Sequence, residues 1–206
     1  MAEKVKKTRP ELLKQRRSLA MFKRFLPTLI LKKQQIQMEI LKVRKEREKQ
    51  RELLHEKLRQ IDSWLPLLAE SIPGPVTRLV EVAQVTQSLK NVAGIKLPVL
   101  DTVDYVIKPY SRLATPPWVD AAVLLLKELL MLKEIVKFLN EQERILKHEL
   151  RKVTQRVNLF EKVMIPRAVD NIRLIRIALA EEQTAAVGRS KIAKAKSVNQ
   201  EAEGAR

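Results

Sequence analysis

The 206-residue chain has no cysteine, only four glycines, and aromatic side chains at just 4% of its positions. Without cysteine there can be no disulfide, thiolate nucleophile or cysteine-ligated zinc, a usage that fits a cytoplasmic protein. The glycines stand at 74, 94, 188 and 204, too scattered for a phosphate-cradling loop. Their scarcity, with that of aromatics, argues against an α/β enzyme. No apolar run reaches the roughly 18 residues of a membrane-spanning helix. The lysines near Met1 have no apolar stretch behind them, so the start does not read as a signal peptide. Acid is also in short supply. Lys and Arg number 41 against 24 Asp and Glu, a formal charge of +17. Residues 1–60 carry +12 of it, 61–118 are neutral, and 119–206 carry +5. Such a field favours an acidic partner, whether nucleic acid, anionic lipid or an acidic protein lining.

What the chain does have is two apolar seams. In the C-terminal half Leu129, Leu132, Val136, Leu139, Leu146, Leu150, Val153, Val157, Phe160 and Met164 recur alternately three and four apart, broken only by Glu143. In the N-terminal half Leu12, Leu19, Phe22, Leu26, Leu29, Ile36, Ile40, Val43, Leu54, Ile61, Trp64 and Leu68 form a looser copy. Its interruptions are Gln15, Lys33, Arg47, Gln50 and Lys57. This spacing lays one narrow stripe of a long helix against a partner helix. The predicted fold is mainly α: a long antiparallel two-helix coiled coil formed by the N- and C-terminal helices, with a small middle module containing a β-hairpin. The seam residues expected to pack are Leu19, Phe22, Leu29, Ile36, Ile40, Leu146, Leu150, Val153, Val157, Phe160 and Met164.

Punctuation sets the boundaries. Thr8 and Pro10 suit a helix start, and residues 1–65 read as the first long helix. Pro27 inside it should cost about 3 kcal/mol relative to Ala and kink the helix without ending it. Pro66, Pro73, Gly74 and Pro75 open a middle module over 66–117, where β-branched content rises and Val99 to Ile107 reads as strand. Val76, Arg78, Val80 and Val82 do not alternate cleanly, and Asn91 and Gly94 offer the turn positions. Pro109, Pro116 and Pro117 close the module, and the second helix runs over 118–187. After Met164 the seam changes phase, to Ala168, Ile172, Ile175 and Leu179, an insertion-like stutter around Pro166. Residues 188–206 read as a basic mobile tail.

No catalytic constellation emerges. His55 and His148 have no ligand partner at useful spacing, and Glu46/Glu48 and Glu181/Glu182 read as solvated faces. Phe22, Trp64 and Phe160 occupy seam positions, where packing explains them better than base stacking does. Catalytic residues, cofactor and metal are all expected to be none. Composition leaves three roles open: a positively charged pair of helix ends docked against an acidic protein lining, a basic nucleic-acid-binding coiled coil, and a membrane-surface scaffold. The last would need a broad apolar face rather than a seam.

Four segments carry a family resemblance. Arg156-Val157-Asn158-Leu159-Phe160-Glu161, followed by Ile165-Pro166-Arg167 and an amphipathic run to Ile177, resembles the C-terminal helix of the D subunits of V/A-type rotary ATPases. Thr8-Arg9-Pro10-Glu11-Leu12-Leu13-Lys14 is similar to that family's opening, as are residues 29–33 to its next segment. Asn91-Val92-Ala93-Gly94-Ile95-Lys96-Leu97-Pro98 is similar to its middle segment. The chain departs from the pattern with Leu26-Pro27, where a glycine is usual, and with Phe160 for Leu. The resemblance implies a non-catalytic central-stalk rotor, cytoplasmic and peripheral to the membrane, that couples ATP turnover to ion transport. The implied partners are the catalytic A and non-catalytic B subunits of a hexamer, the F component of the central stalk and a membrane-rotor connecting subunit, with no nucleic acid and no membrane insertion. Arg9, Lys14, Arg16, Arg17, Arg167, Arg173 and Arg176 are the residues expected to face the hexamer lumen.

Overall fold

A helix beginning at Arg9 has its first backbone bond ready in the sequence, because the Leu12 amide donates to the Thr8 carbonyl at 3.0 Å. Thr8 thereby caps the helix, and Pro10 falls in the first turn, where its missing N–H costs nothing. The computed structural model describes residues 5–62, 79–111 and 115–204. Helix α1 spans Arg9–Asp62 without a break at Pro27. Strands β1 (Val80–Val92) and β2 (Ile95–Ile107) follow. Helix α2 is Trp118–Leu159, a π-helical turn occupies Phe160–Met164, and helix α3 is Ile165–Gly204. The expected stops at Pro66, Pro73, Gly74 and Pro75 lie outside the described residues, as do the seam positions Trp64 and Leu68.

The chain divides into two compact units, residues 32–153 and the two chain ends, 1–31 with 154–206. Within 32–153, Arg44 pairs with Glu143 and Lys57 with Glu128. A later α1 residue thus meets an earlier α2 residue, which makes the helices antiparallel. Ile36, Ile40 and Val43 of α1 and Leu146 and Val153 of α2 are buried. Leu150 is half-buried. Within the unit of the two ends, the rings of Phe22 and Phe160 meet with centroids 5.3 Å apart at 56°. Phe22 and residues earlier on α1 share a groove with Met164, Arg167 and Asn171, the same antiparallel sense. Val157, Ala168, Ile172 and Ile175 are buried, while Leu19, Leu29 and Met164 are half-buried.

The change of seam phase has a backbone cause. The Ile165 amide donates to the carbonyl of Phe160, five residues back instead of four. One residue is thus added to the turn, which rotates all that follows. Pro166, which would crowd a regular α-turn against the carbonyl four residues earlier, sits just after this widening. Ala168, Ile172 and Ile175 then return to the buried side.

The hairpin pairs its strands from Val80↔Ile107 to Val92↔Ile95. Register shifts fall between Val82 and Gln84 and between Thr86 and Gln87. The first leaves Ala83 as an extra residue, so Val82 and Val85, three apart, are both half-buried. A bulge of this kind is why the strand does not alternate in sequence. The tip is Ala93-Gly94, with φ of 52° and 78°. Both central residues are left-handed, as a type I′ turn requires. Gly94 turns as expected, but Asn91 belongs to β1, opposite Lys96. The hairpin lies on α2, since the Gln142 side chain donates to the Pro98 carbonyl at 2.6 Å. Alanine is poorly suited to a left-handed position. Ala93→Asn should therefore raise the unfolding free energy by about 0.5–1 kcal/mol, read as a higher urea midpoint; a lower midpoint would contradict this turn.

One boundary needs correction. The second long helix does not stop near Val187, because α3 passes through Gly188 and continues to Gly204. One glycine costs a helix only about 1 kcal/mol. The surrounding Ala, Lys, Glu and Gln are good helix formers that outweigh it. Residues 181–187 and 189–196 are exposed.

Candidate interaction site

The seven basic residues singled out in the sequence are all exposed. Arg9, Lys14, Arg16 and Arg17 lie on α1, and Arg167, Arg173 and Arg176 on α3. The antiparallel pairing of the two ends gathers most of them into two grooves. Arg16, Arg173 and Arg176 line an open groove of about 720 Å³ floored by Leu19, Ala20 and Ile172. Lys14 and Arg167 line another, of about 480 Å³, with Lys6, Glu11 and Ser18. Arg9 and Arg17 belong to neither groove.

The first groove is the more telling. Its lining includes no carboxylate, and Lys23 adds a fourth cation. Lys23 was missed in the sequence, although it stands seven residues after Arg16 and so on the same helical face. Val169 and Ile177, also in the lining, are 46% and 47% exposed. Guanidinium forks over an apolar floor suit a segment that carries carboxylates beside aliphatic side chains. Nothing in the groove resembles a nucleophile with its base. Among the described residues, no cluster of three His, Asp or Glu is placed to hold a metal. No helix among them is long and apolar enough to cross a membrane.

A second polar feature lies inside the 32–153 unit. Glu143, the lone break in the C-terminal seam, is 4% exposed. Its Oε1 accepts from Arg44 Nε at 2.7 Å and takes Lys147 Nζ at 2.7 Å. Its Oε2 accepts from Arg47 Nη1, and that same nitrogen reaches Asn140 Oδ1 at 3.4 Å. Two positions that look like defects in separate seams, Arg47 and Glu143, are thus partners. Lys57 repeats the pattern, with Glu128 at 2.9 Å. The hydrogen bond from Lys147, followed by those from the arginines, outweighs burial and holds the Glu143 carboxyl down to about 2.

The sign of the linkage follows from that lowering. A carboxyl whose folded-state value is depressed stabilises the fold above its unfolded value, here 4.5, and loses that contribution as pH falls through about 2. The difference in unfolding free energy between the native chain and Glu143→Gln should be largest near neutral pH and shrink steadily below about pH 4. Urea titrations across that range check it; a difference independent of pH would contradict it.

Comparison with known proteins gives a consistent picture. The model of the family of ATP synthase D subunits matches residues 11–195. The D subunit of the V-type ATP synthase of Borreliella burgdorferi is 43% identical over 192 residues, covering 93% of this chain and 94% of that protein. The corresponding V-type ATP synthase D subunits of Chlamydia abortus and Chlamydia pneumoniae are 33% and 32% identical, each covering 95% of this chain and 95% and 94% of their own lengths.

Proposed function

Because the chain belongs to the family of ATP synthase D subunits, we propose that it is the central-stalk shaft of a V/A-type rotary ATPase. In this reading the shaft turns inside a hexamer of A and B subunits and couples their ATP turnover to ion transport across a membrane. It performs no bond chemistry itself. The F component of the stalk and a membrane-rotor connecting subunit join it on the cytoplasmic side of that membrane.

The observation that carries the proposal is the pairing of the two chain ends under a cationic rim with no carboxylate in its main groove. A shaft must be stiff along its axis and yet slide past its bearing. Heptad packing with buried Ile175, Val157 and Ile172 supplies the first property. Exposed, salt-screened cations supply the second, because their contacts are shallow rather than deep and fitted. Different faces of the paired ends also present different chemistry, which a threefold ring can read as different nucleotide preferences at its interfaces.

The rival reading spends the same charge on phosphates. Capture by an A–B hexamer on a column, beside duplex DNA binding titrated with salt, separates the two. Retention by the hexamer with weak, salt-erased DNA binding is the expected result. Tight DNA binding without hexamer retention would overturn the shaft.

A further inference from the structure

Heptad seams leave one matter undetermined. Sliding one helix along the other by seven residues, about 10 Å, sets Ile, Val and Leu against Ile, Val and Leu again. The apolar side chains of α1 (Ile36, Ile40, Val43) and α2 (Leu146, Leu150, Val153) are too alike to resist such a slide strongly.

We propose that Glu143 is the key that fixes the axial register of α1 against α2. Its carboxylate is buried and is held by two α1 arginines one helical turn apart, Arg44 and Arg47, with Lys147 closing the cluster from α2 itself. A slide of one heptad in one direction would face it with Arg51 and Leu54. In the other direction it would face Gln37 and Ile40. In both cases the inner partner, Arg47, whose side chain is 20% exposed, gives way to an aliphatic residue. The carboxylate would then be buried without its closest cation, one of the least favourable arrangements in a protein interior.

The choice of glutamate here has no other evident benefit. An apolar side chain would continue the seam, and replacing a buried ion cluster with well-packed aliphatics is commonly neutral or stabilising. A single polar residue at a seam position, by contrast, is a well-attested means of specifying register at some cost in stability. The Lys57–Glu128 pair falls in the same register but is more exposed, 37% and 56% by side chain. It therefore assists rather than decides. This role is independent of what the helical pair turns within.

The absence of native cysteine makes the test clean. In the full chain, Lys57→Cys is combined in turn with Glu128→Cys, in register, and with Ala121→Cys or Ile135→Cys, one heptad off. With Glu143 present, oxidation should link only 57 to 128. With Glu143→Leu the helical content should persist, and the yield of the shifted disulfides should rise by about tenfold or more. A Glu143→Leu chain that still links only 57 to 128 overturns the proposal. Should that variant lose its helical signal, the double variant Arg47→Met/Glu143→Leu, which removes the more buried of the two arginines together with its carboxylate, is read by the same criterion.

Discussion

Reversing Arg16, Arg173 and Arg176 to Glu together is expected to lower ATP-driven ion transport by about tenfold or more in a reconstituted complex, while the isolated chain melts almost as before. The three side chains are exposed, line one groove and make no ion pair among the described residues. Surface substitutions of this kind usually change stability by no more than about 0.5 kcal/mol. Function should respond quite differently. An acidic lining that met three cations would meet three anions, and like charges set against each other at an interface cost several kcal/mol. About 1.4 kcal/mol is already a tenfold effect. Because the contacts are screened, the loss should be most severe at low ionic strength and partly relieved by salt. Reversal of Arg9 and Arg17, which lie outside both grooves, should do less. The ratio of ions moved to ATP hydrolysed, measured for both sets, checks this; equal and intact ratios would remove the groove from the mechanism.

Leu146→Ala is expected to be among the most damaging single substitutions for stability, at about 3 kcal/mol. Leu146 has no exposed surface, and it sits one turn from Glu143 in the α2 seam. Truncation there removes apolar contact and leaves a cavity that two stiff helices cannot easily close. Leu159→Ala supplies the contrast. That leucine belongs to the same helix but is 48% exposed, so its loss should cost only a few tenths of a kcal/mol. Urea unfolding followed by helical signal compares the two; similar costs would mean that the seam is not where the stability resides.

Much of this architecture was legible because a long helix writes its packing face into the sequence at every third or fourth residue. Both terminal helices could be read on that basis, with Ile36, Ile40, Leu146, Val153 and Val157 buried and Leu19, Leu29, Leu150, Phe160 and Met164 half-buried, and Val99 to Ile107 read as strand from its β-branched content. The misreadings share a cause: a one-dimensional pattern shows one helix at a time. Arg47 and Glu143 each look like a flaw in isolation, yet each is the other's partner. Ala83 hides the alternation of β1 because the extra residue is visible only against the register of β2. Gly188 resembles a stop, but helix propensity on both sides carries α3 onward. The stutter around Met164 was visible as a phase change, whereas its mechanism, the bond from Ile165 to Phe160, was not. The basic residues could be found by charge alone. Which of them share a groove depended on how the two ends pair, and Lys23 joined them only then.

The shaft reading requires that the paired chain ends move relative to the ring around them. Ile177→Cys, at an exposed groove position in a chain otherwise free of cysteine, can be joined by a disulfide to a cysteine placed on the facing catalytic subunit. Oxidation should reduce ATP hydrolysis to about a tenth or less of its starting rate, and reduction should restore it. Hydrolysis that proceeds coupled and undiminished with the disulfide in place would contradict rotation of this chain within its hexamer.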